Sequence, residues 1–130
     1  MPPNWRSSGT PPATNFCRER SKWNPRLVGV RLEQWTAADG PLTEKRMMRL
    51  LEGEGYEVAA YTYREGTVFA EHEHGQDKCD AVLEGVLRVT VGGEAYDLKA
   101  GDRIYVPAGT RHGAEVIGQR TVLSLDGTRW

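Results

Sequence analysis

Histidine occurs three times in this chain, and two of the three, His72 and His74, are separated by a single residue. In a β-strand, residues i and i+2 leave the same face of the sheet. An extended His-x-His segment therefore presents two imidazole nitrogens to one point, where a single metal ion takes each at about 2.0–2.2 Å. His112 follows the segment DRIYVP and the break Pro107-Ala108-Gly109. A turn at that place, in a small closed barrel, brings a third imidazole back to the first pair. Glu71 and Glu73 flank the pair on the opposite strand face, the solvent side. Arg111, beside His112, reads as a solvated arginine, with an anionic substrate as its alternative partner. These same histidines are all that a Ser/His/Asp set could draw on, and no glycine-rich nucleotide loop is present.

The elements that must hold these side chains are mostly short strands. YEVAAYTYR, TVFAEH, VLRVTV, EAYDL, DRIYVP and TVLSL are rich in Val, Tyr, Thr, Leu and Ile with period-two alternation. Leu87, Val89 and Val91 share a face with Arg88 and Thr90 opposite, and Gly92-Gly93 forms the two-residue turn of a hairpin. Gly66, Gly85 and Gly101 read as turn positions with unusual backbone angles. Tyr61, Tyr63, Tyr96 and Tyr105 either pack or offer a hydroxyl to a ligand. Upstream, RLVGVRLEQW from Arg26 reads as a strand that Asp39-Gly40-Pro41 ends. From Thr43 to Glu52 the period changes: Met47, Leu50 and Leu51 fall on one helical face. Thr43 caps the start, and Gly53 stands where a left-handed helix end favours glycine. Short strands with glycine turns point to a mainly β protein, an antiparallel sandwich or barrel with one short helix near the front.

At 130 residues the chain has room for one domain. Seventeen Lys+Arg against eighteen Asp+Glu give a charge of −1, which argues against nucleic acid as a partner. No apolar run reaches the length of a membrane span, and the first twenty residues lack the apolar stretch of a signal peptide. Cys17 and Cys79 match no paired spacing and read as reduced thiols of a cytoplasmic protein. Residues 1–24 are rich in Pro, Ser and Gly and read as an extended arm before a domain over 25–130. The arm carries Trp5, Phe16 and Trp23, which suits a surface of a second subunit and hence a homodimer.

The histidine pattern resembles the two motifs of the cupin superfamily. The first motif, glycine, five residues, His-x-His, three or four residues, glutamate, six residues, glycine, is similar to Gly66…His72-Glu73-His74…Lys78…Gly85. The second, glycine, five residues, Pro-x-Gly, two residues, histidine, three residues, asparagine, is similar to Gly101…Pro107-Ala108-Gly109…His112…Val116. The resemblance covers about residues 56–125 and implies a small single-domain bacterial-type cupin, an antiparallel jelly-roll barrel. It also implies one divalent transition metal (iron, manganese, nickel, copper or zinc) held by His72, His74 and His112. The superfamily includes dioxygenases, isomerases and non-catalytic binders, so the resemblance implies a metal-dependent enzyme of dioxygenase or isomerase type on a small polar substrate. A small-molecule binding module or sensor is its alternative.

Two positions depart from the pattern. Val116 replaces asparagine at a position that is not a ligand in the family. Lys78 replaces the glutamate that is usually the fourth ligand. An ammonium about 5 Å from a dication is repelled by roughly 6–7 kcal/mol at an effective dielectric near 20. Lys78 therefore turns away, stays neutral or pairs with a carboxylate, Asp80 on the same strand face or the adjacent Asp77. Its alternatives are a cation that replaces the metal, or a catalytic lysine acting as general base or hydrogen-bond donor to a bound substrate. Lysine at this position also resembles a subgroup of small cupins with a short helix before the barrel. Cys79 suggests a further alternative, a thiol dioxygenase with cysteine at the glutamate position. Its distance to Gly85 is one residue short for that, and alternation turns it outward if Lys78 faces in.

Overall fold

The computed structural model describes residues 29–130. The arm over 1–24, with its three aromatics and Cys17, lies outside the described residues, as do residues 25–28. Within them the chain forms β1 (Arg31–Gln34), a short 3-10 turn (Ala37–Asp39), α1 (Glu44–Gly53), β2 (Glu57–Tyr63), β3 (Val68–His72) and β4 (Asp77–Glu84). It continues through β5 (Val86–Val91), β6 (Glu94–Leu98), β7 (Asp102–Val106), β8 (His112–Ile117) and β9 (Val122–Arg129). The strands make two antiparallel sheets, ordered β1-β7-β4-β9-β2 and β3-β8-β5-β6. This is the mainly β, jelly-roll architecture that the alternation and glycine turns lead one to expect.

Each sheet buries one face against the other. Leu87, Val89, Val91 and Val116 from the smaller sheet meet Val82, Ile104, Val106 and Val122 from the larger. A second core lies on the far side of the larger sheet, where α1 covers Cys79, Ala81, Tyr105 and Leu125 with Met47 and Leu51. The larger sheet is thus apolar on both faces over much of its area. Thr43 caps α1 as expected, its Oγ1 accepting from Arg46 N at 3.1 Å. Gly53, in contrast, remains helical, and the left-handed residue after the helix is Gly55 at φ 96°.

Three further boundaries differ from the sequence reading. The expected strand RLVGVRLEQW is ordered as a strand only over Arg31–Gln34 among the described residues. DKCDAVLE and HGAEVI, absent from the six alternating segments, form β4 and β8. Their inward positions carry Lys78, Asp80 and His112, so a hydrophobic alternation cannot mark them. TVLSL grows into the eight-residue β9, which extends inward-facing polar positions to Asp126 and Thr128. Gly92 and Gly93 both have positive φ, 61° and 82°, and close the β5–β6 hairpin, with Val91 paired to Glu94. Gly85, at φ 80°, connects β4 to β5 where an added Cβ would lie 2.6 Å from Thr121 O, so only glycine fits.

Candidate functional site

His72 ends β3 and His112 begins β8, and the two are register partners across the β3–β8 ladder. His74 lies just past the end of β3, and the Gly109 N–H donates to its carbonyl at 2.8 Å. Two details of the sequence reading change here: only His72 of the first pair is within a strand, and His112 opens a strand instead of sitting in a turn. The convergence nonetheless holds. Ring centroids lie 4.7 Å (His72–His74), 4.5 Å (His72–His112) and 5.4 Å (His74–His112) apart. One ligating nitrogen from each ring lies within 4.8 Å of the other two.

These rings suit a metal ion. Nitrogens sharing one ion at about 2.1 Å stand roughly 3–4 Å apart, so closing from 4.8 Å takes a small rotation of each side chain. His72 Nδ1 lies 2.6 Å from Ala70 O, and His112 Nδ1 lies 2.9 Å from Thr110 O. A carbonyl oxygen only accepts, so both Nδ1 atoms carry hydrogen and both Nε2 lone pairs are free for a ligand bond. Burial, then the positive Lys78 and the other two imidazoles, holds the His74 pKa below the usual histidine value. Burial is also the main cause of the lowered His112 pKa, with His72 and Lys78 adding to it against the Thr110 carbonyl. Neutral imidazole is the ligating form.

Lys78 pairs with a different partner than expected. Its Nζ lies 2.9 Å from Asp126 Oδ1 and 3.1 Å from Oδ2, and it donates to Thr128 Oγ1 at 2.6 Å. Neither Asp80 nor Asp77 is the ion-pair partner. Asp77 sits on the other face of β4, accepting from Ala108 N at 3.0 Å and from Arg129 at 3.3 Å. Asp80 faces inward opposite Asp126, and burial followed by the Asp126 charge raises its pKa. Tyr63, also on the inner face, has its hydroxyl pKa raised by burial and then by Asp80 and Asp126. Asp126 and Thr128 had no part in the sequence reading. The signal was the alternation Ser124, Asp126, Thr128 against Leu123 and Leu125, which looks the same on a solvent-facing strand.

The other singled-out residues lie elsewhere. Cys79 is fully buried in the second core beneath α1, its thiol pKa pushed up by burial, on the opposite face of β4 from Lys78. Glu71 and Glu73 are exposed and flank Arg111 at 3.6 and 3.7 Å. Tyr105 is on the outer face, where its hydroxyl donates to Glu54 at 2.6 Å and accepts from Arg103 Nε at 2.8 Å. Tyr96 packs against the inter-sheet core. Tyr61 stacks on Tyr63 with 47% of its surface exposed, and Tyr63 meets Phe69 edge to face at 4.9 Å.

The Cupin_2 family model, described as a cupin domain, matches residues 59–126. The chain belongs to the cupin family. The matched span of this cupin runs from β2 to β9 and includes all three histidines, Lys78 and both inward aspartates. It is 32% identical over 65 residues to protein SCO3923 of Streptomyces coelicolor, itself uncharacterised, covering 50% of this chain and 62% of that protein's length. Acireductone dioxygenase from Bacillus anthracis, solved with a cadmium ion in its active centre, has a similar structure. Its TM-score is 0.61 at 20% identity, over 82% of this chain and 83% of that one. KdgF from Halomonas sp. aligns at a TM-score of 0.52 and 19% identity, covering 88% of this chain and 92% of its own. At such identities these structures show a shared fold. No helix among the described residues is long and apolar enough to cross a membrane.

Proposed function

We propose that this cupin is a metal-dependent enzyme of dioxygenase or isomerase type that acts on a small polar substrate. One divalent transition metal (iron, manganese, nickel, copper or zinc) would be held by His72, His74 and His112, the first and last through Nε2. The observation that carries this reading is the meeting of the three imidazoles with two Nδ1 atoms pinned by backbone carbonyls. Bound there, such an ion supplies Lewis acidity towards a substrate oxygen or a centre for oxygen chemistry. The remaining roles fall to the chain itself. Ala70 and Thr110 orient the rings through their carbonyls. Lys78 supplies a fixed positive charge beside the site, and its engagement as a donor to Asp126 and Thr128 favours a hydrogen-bonding role over that of a base. Tyr61, Tyr63 and Phe69 form an aromatic wall at the edge of the barrel.

Elemental analysis of untagged protein tests the reading: it expects about one metal per chain. Oxygen consumption with small acids, diketones, phenols and thiols then separates an oxygenase from an isomerase. A metal-loaded protein with a tight ligand and no turnover is a binding module instead. Cys79, walled off beneath α1, gives the thiol dioxygenase reading no support. The proposal includes a cytoplasmic setting, in keeping with the free Cys79 thiol. It also includes a homodimer joined through the aromatic arm, which sedimentation at micromolar concentration tests.

A further inference from the structure

We infer that Asp80 and Asp126 form a proton-sharing carboxyl pair inside the barrel, which removes and returns a proton at a carbon next to the carbonyl of a small hydroxy-carbonyl substrate. The inference rests on the proposed metal site and deepens it.

Geometry carries the argument. Asp80 on β4 and Asp126 on β9 are direct register partners, and both lie on the inward face that also carries Val82 and Val122. Side chains directly opposite in an antiparallel ladder have Cβ atoms about 4.5–5.5 Å apart, which brings the two carboxyls within reach of one another. Two negative charges so close on a partly buried face repel one another, so one member of the pair holds a proton. The position of Lys78 decides which. Its ammonium spans both oxygens of Asp126, at 2.9 and 3.1 Å, so the negative charge rests on Asp126 and the proton on Asp80. Among the described residues the groups on this face around the pair are Lys78 from its own strand, Thr128 from β9, Ala59, Tyr61 and Tyr63 from β2, and the apolar Ile104 and Val106 from β7.

A structural role as counter-ion of Lys78 accounts for Asp126 but not for Asp80. The same inner face is apolar at Val82, Ile104, Val106 and Val122, and an apolar residue at position 80 would avoid burying a second carboxyl. The cluster is instead near the histidines in the chain: Lys78, which holds Asp126, opens β4 four residues after His74. A shared proton beside a polarised carbonyl is the equipment of general acid–base catalysis.

The step balances without a further reagent. The C–H bond next to the carbonyl breaks, and its proton goes to the Asp126 carboxylate. The electron pair forms the C=C bond of an enolate while the carbonyl pair moves to oxygen. The carboxyl pair then gives a proton back. Return to the same carbon exchanges its hydrogen with solvent. Return to the former carbonyl carbon, with the neighbouring hydroxyl proton passing to the enolate oxygen, gives the isomeric hydroxy-carbonyl. Nothing is oxidised or reduced overall.

The test uses the full chain in two forms. Metal-loaded protein is incubated with hydroxyacetone or dihydroxyacetone in heavy water, and deuterium entering the C–H positions is followed by proton NMR. Wild type is expected to exchange, and Asp126→Asn to exchange about 100-fold more slowly or worse when the two are compared at equal metal occupancy. Metal-free protein is examined by infrared difference spectroscopy at about pH 6, where an ordinary aspartate is ionised. A protonated-carboxyl band in wild type that disappears in Asp80→Asn supports the pair. Wild-type spectra without that band, or exchange by Asp126→Asn at the wild-type rate, overturn the inference. Metal-loaded wild type that exchanges neither compound overturns the substrate class. Loss of metal binding with the carboxyl band intact marks failure of the metal reading instead.

Discussion

Lys78 and Asp126, 48 residues apart in sequence, form an ion pair of 2.9 Å on the inner face of the larger sheet. The position that usually supplies a glutamate in cupins is thus occupied by a cation whose own counter-charge comes from a strand near the end of the chain. That relationship resolves the repulsion expected between lysine and a metal: the ammonium is neutralised by Asp126 and drawn across to β9.

The pair is open to a double-mutant cycle. Lys78→Met leaves the Asp126 carboxylate partly buried without its donor, and Asp126→Asn leaves Lys78 without its acceptor. Each single change is expected to lower unfolding free energy by about 1–3 kcal/mol, and the double variant by less than the sum. Urea unfolding of all four proteins measures the coupling. Additive losses would show that the two side chains act independently.

The pH response of stability follows from two groups with opposite signs. The Asp80 pKa is raised in the fold, so the folded protein holds a proton that the unfolded chain has lost. That contribution is complete below the ordinary aspartate value of about 3.9 and is lost as pH rises through the raised value. Asp80→Asn removes it, so the advantage of wild type over this variant is expected to shrink as pH rises. Urea midpoints at several pH values check the trend.

His74 and His112 act the other way in metal-free protein. Their lowered pKa values mean that the unfolded chain takes up protons first as pH falls below about 6.5. Stability should therefore fall with acidification in that window, and a double His74→Gln, His112→Gln variant should lose this slope. Thermal melts of chelator-treated protein between neutral and mildly acidic pH supply the comparison.

Metal retention should depend on each histidine separately. His112→Ala is expected to weaken binding by at least the 10- to 100-fold that loss of a supporting partner alone causes. In wild type, free metal at about 100 times its Kd should stabilise the fold by about 2.7 kcal/mol, and a chelator should reverse the gain. Elemental analysis together with melting curves reads both effects.

Helix α1 makes its own energetic prediction. Met47 and Leu51 are fully buried against the outer face of the larger sheet, whereas Leu50 is half-buried. Truncation of Met47 or Leu51 to alanine should cost about 2–5 kcal/mol, and Leu50→Ala distinctly less. Equal losses at the three positions would contradict the docked orientation of the helix.

Much of the fold is local and therefore legible in the amino-acid order. The alternation of Leu87, Val89 and Val91, the two glycines after them, and the change of period at Thr43 each depend on neighbours within one strand, turn or helix. The convergence of the histidines was legible too, because the spacing from Gly66 to Gly85 and from Gly101 to His112 matches the cupin motifs. The strands β4 and β8 were harder to see. Their inward positions hold Lys78, Asp80 and His112, and polar residues on an inner face carry the same signature as residues on a wet one.

What only the tertiary structure decided is which strand lies beside which, and in what register. Pairing of β4 with β9 puts Asp80 opposite Asp126 and sends Lys78 to Asp126 and Thr128; alternation along β4 by itself offers only Asp80 or the adjacent Asp77. Packing of α1 across the sheet turns the outward Cys79 from an exposed thiol into a core residue. Side-chain direction along a strand repeats every two residues and can be counted from the sequence. The partner across a ladder depends on long-range closure of the barrel, for which no local count exists.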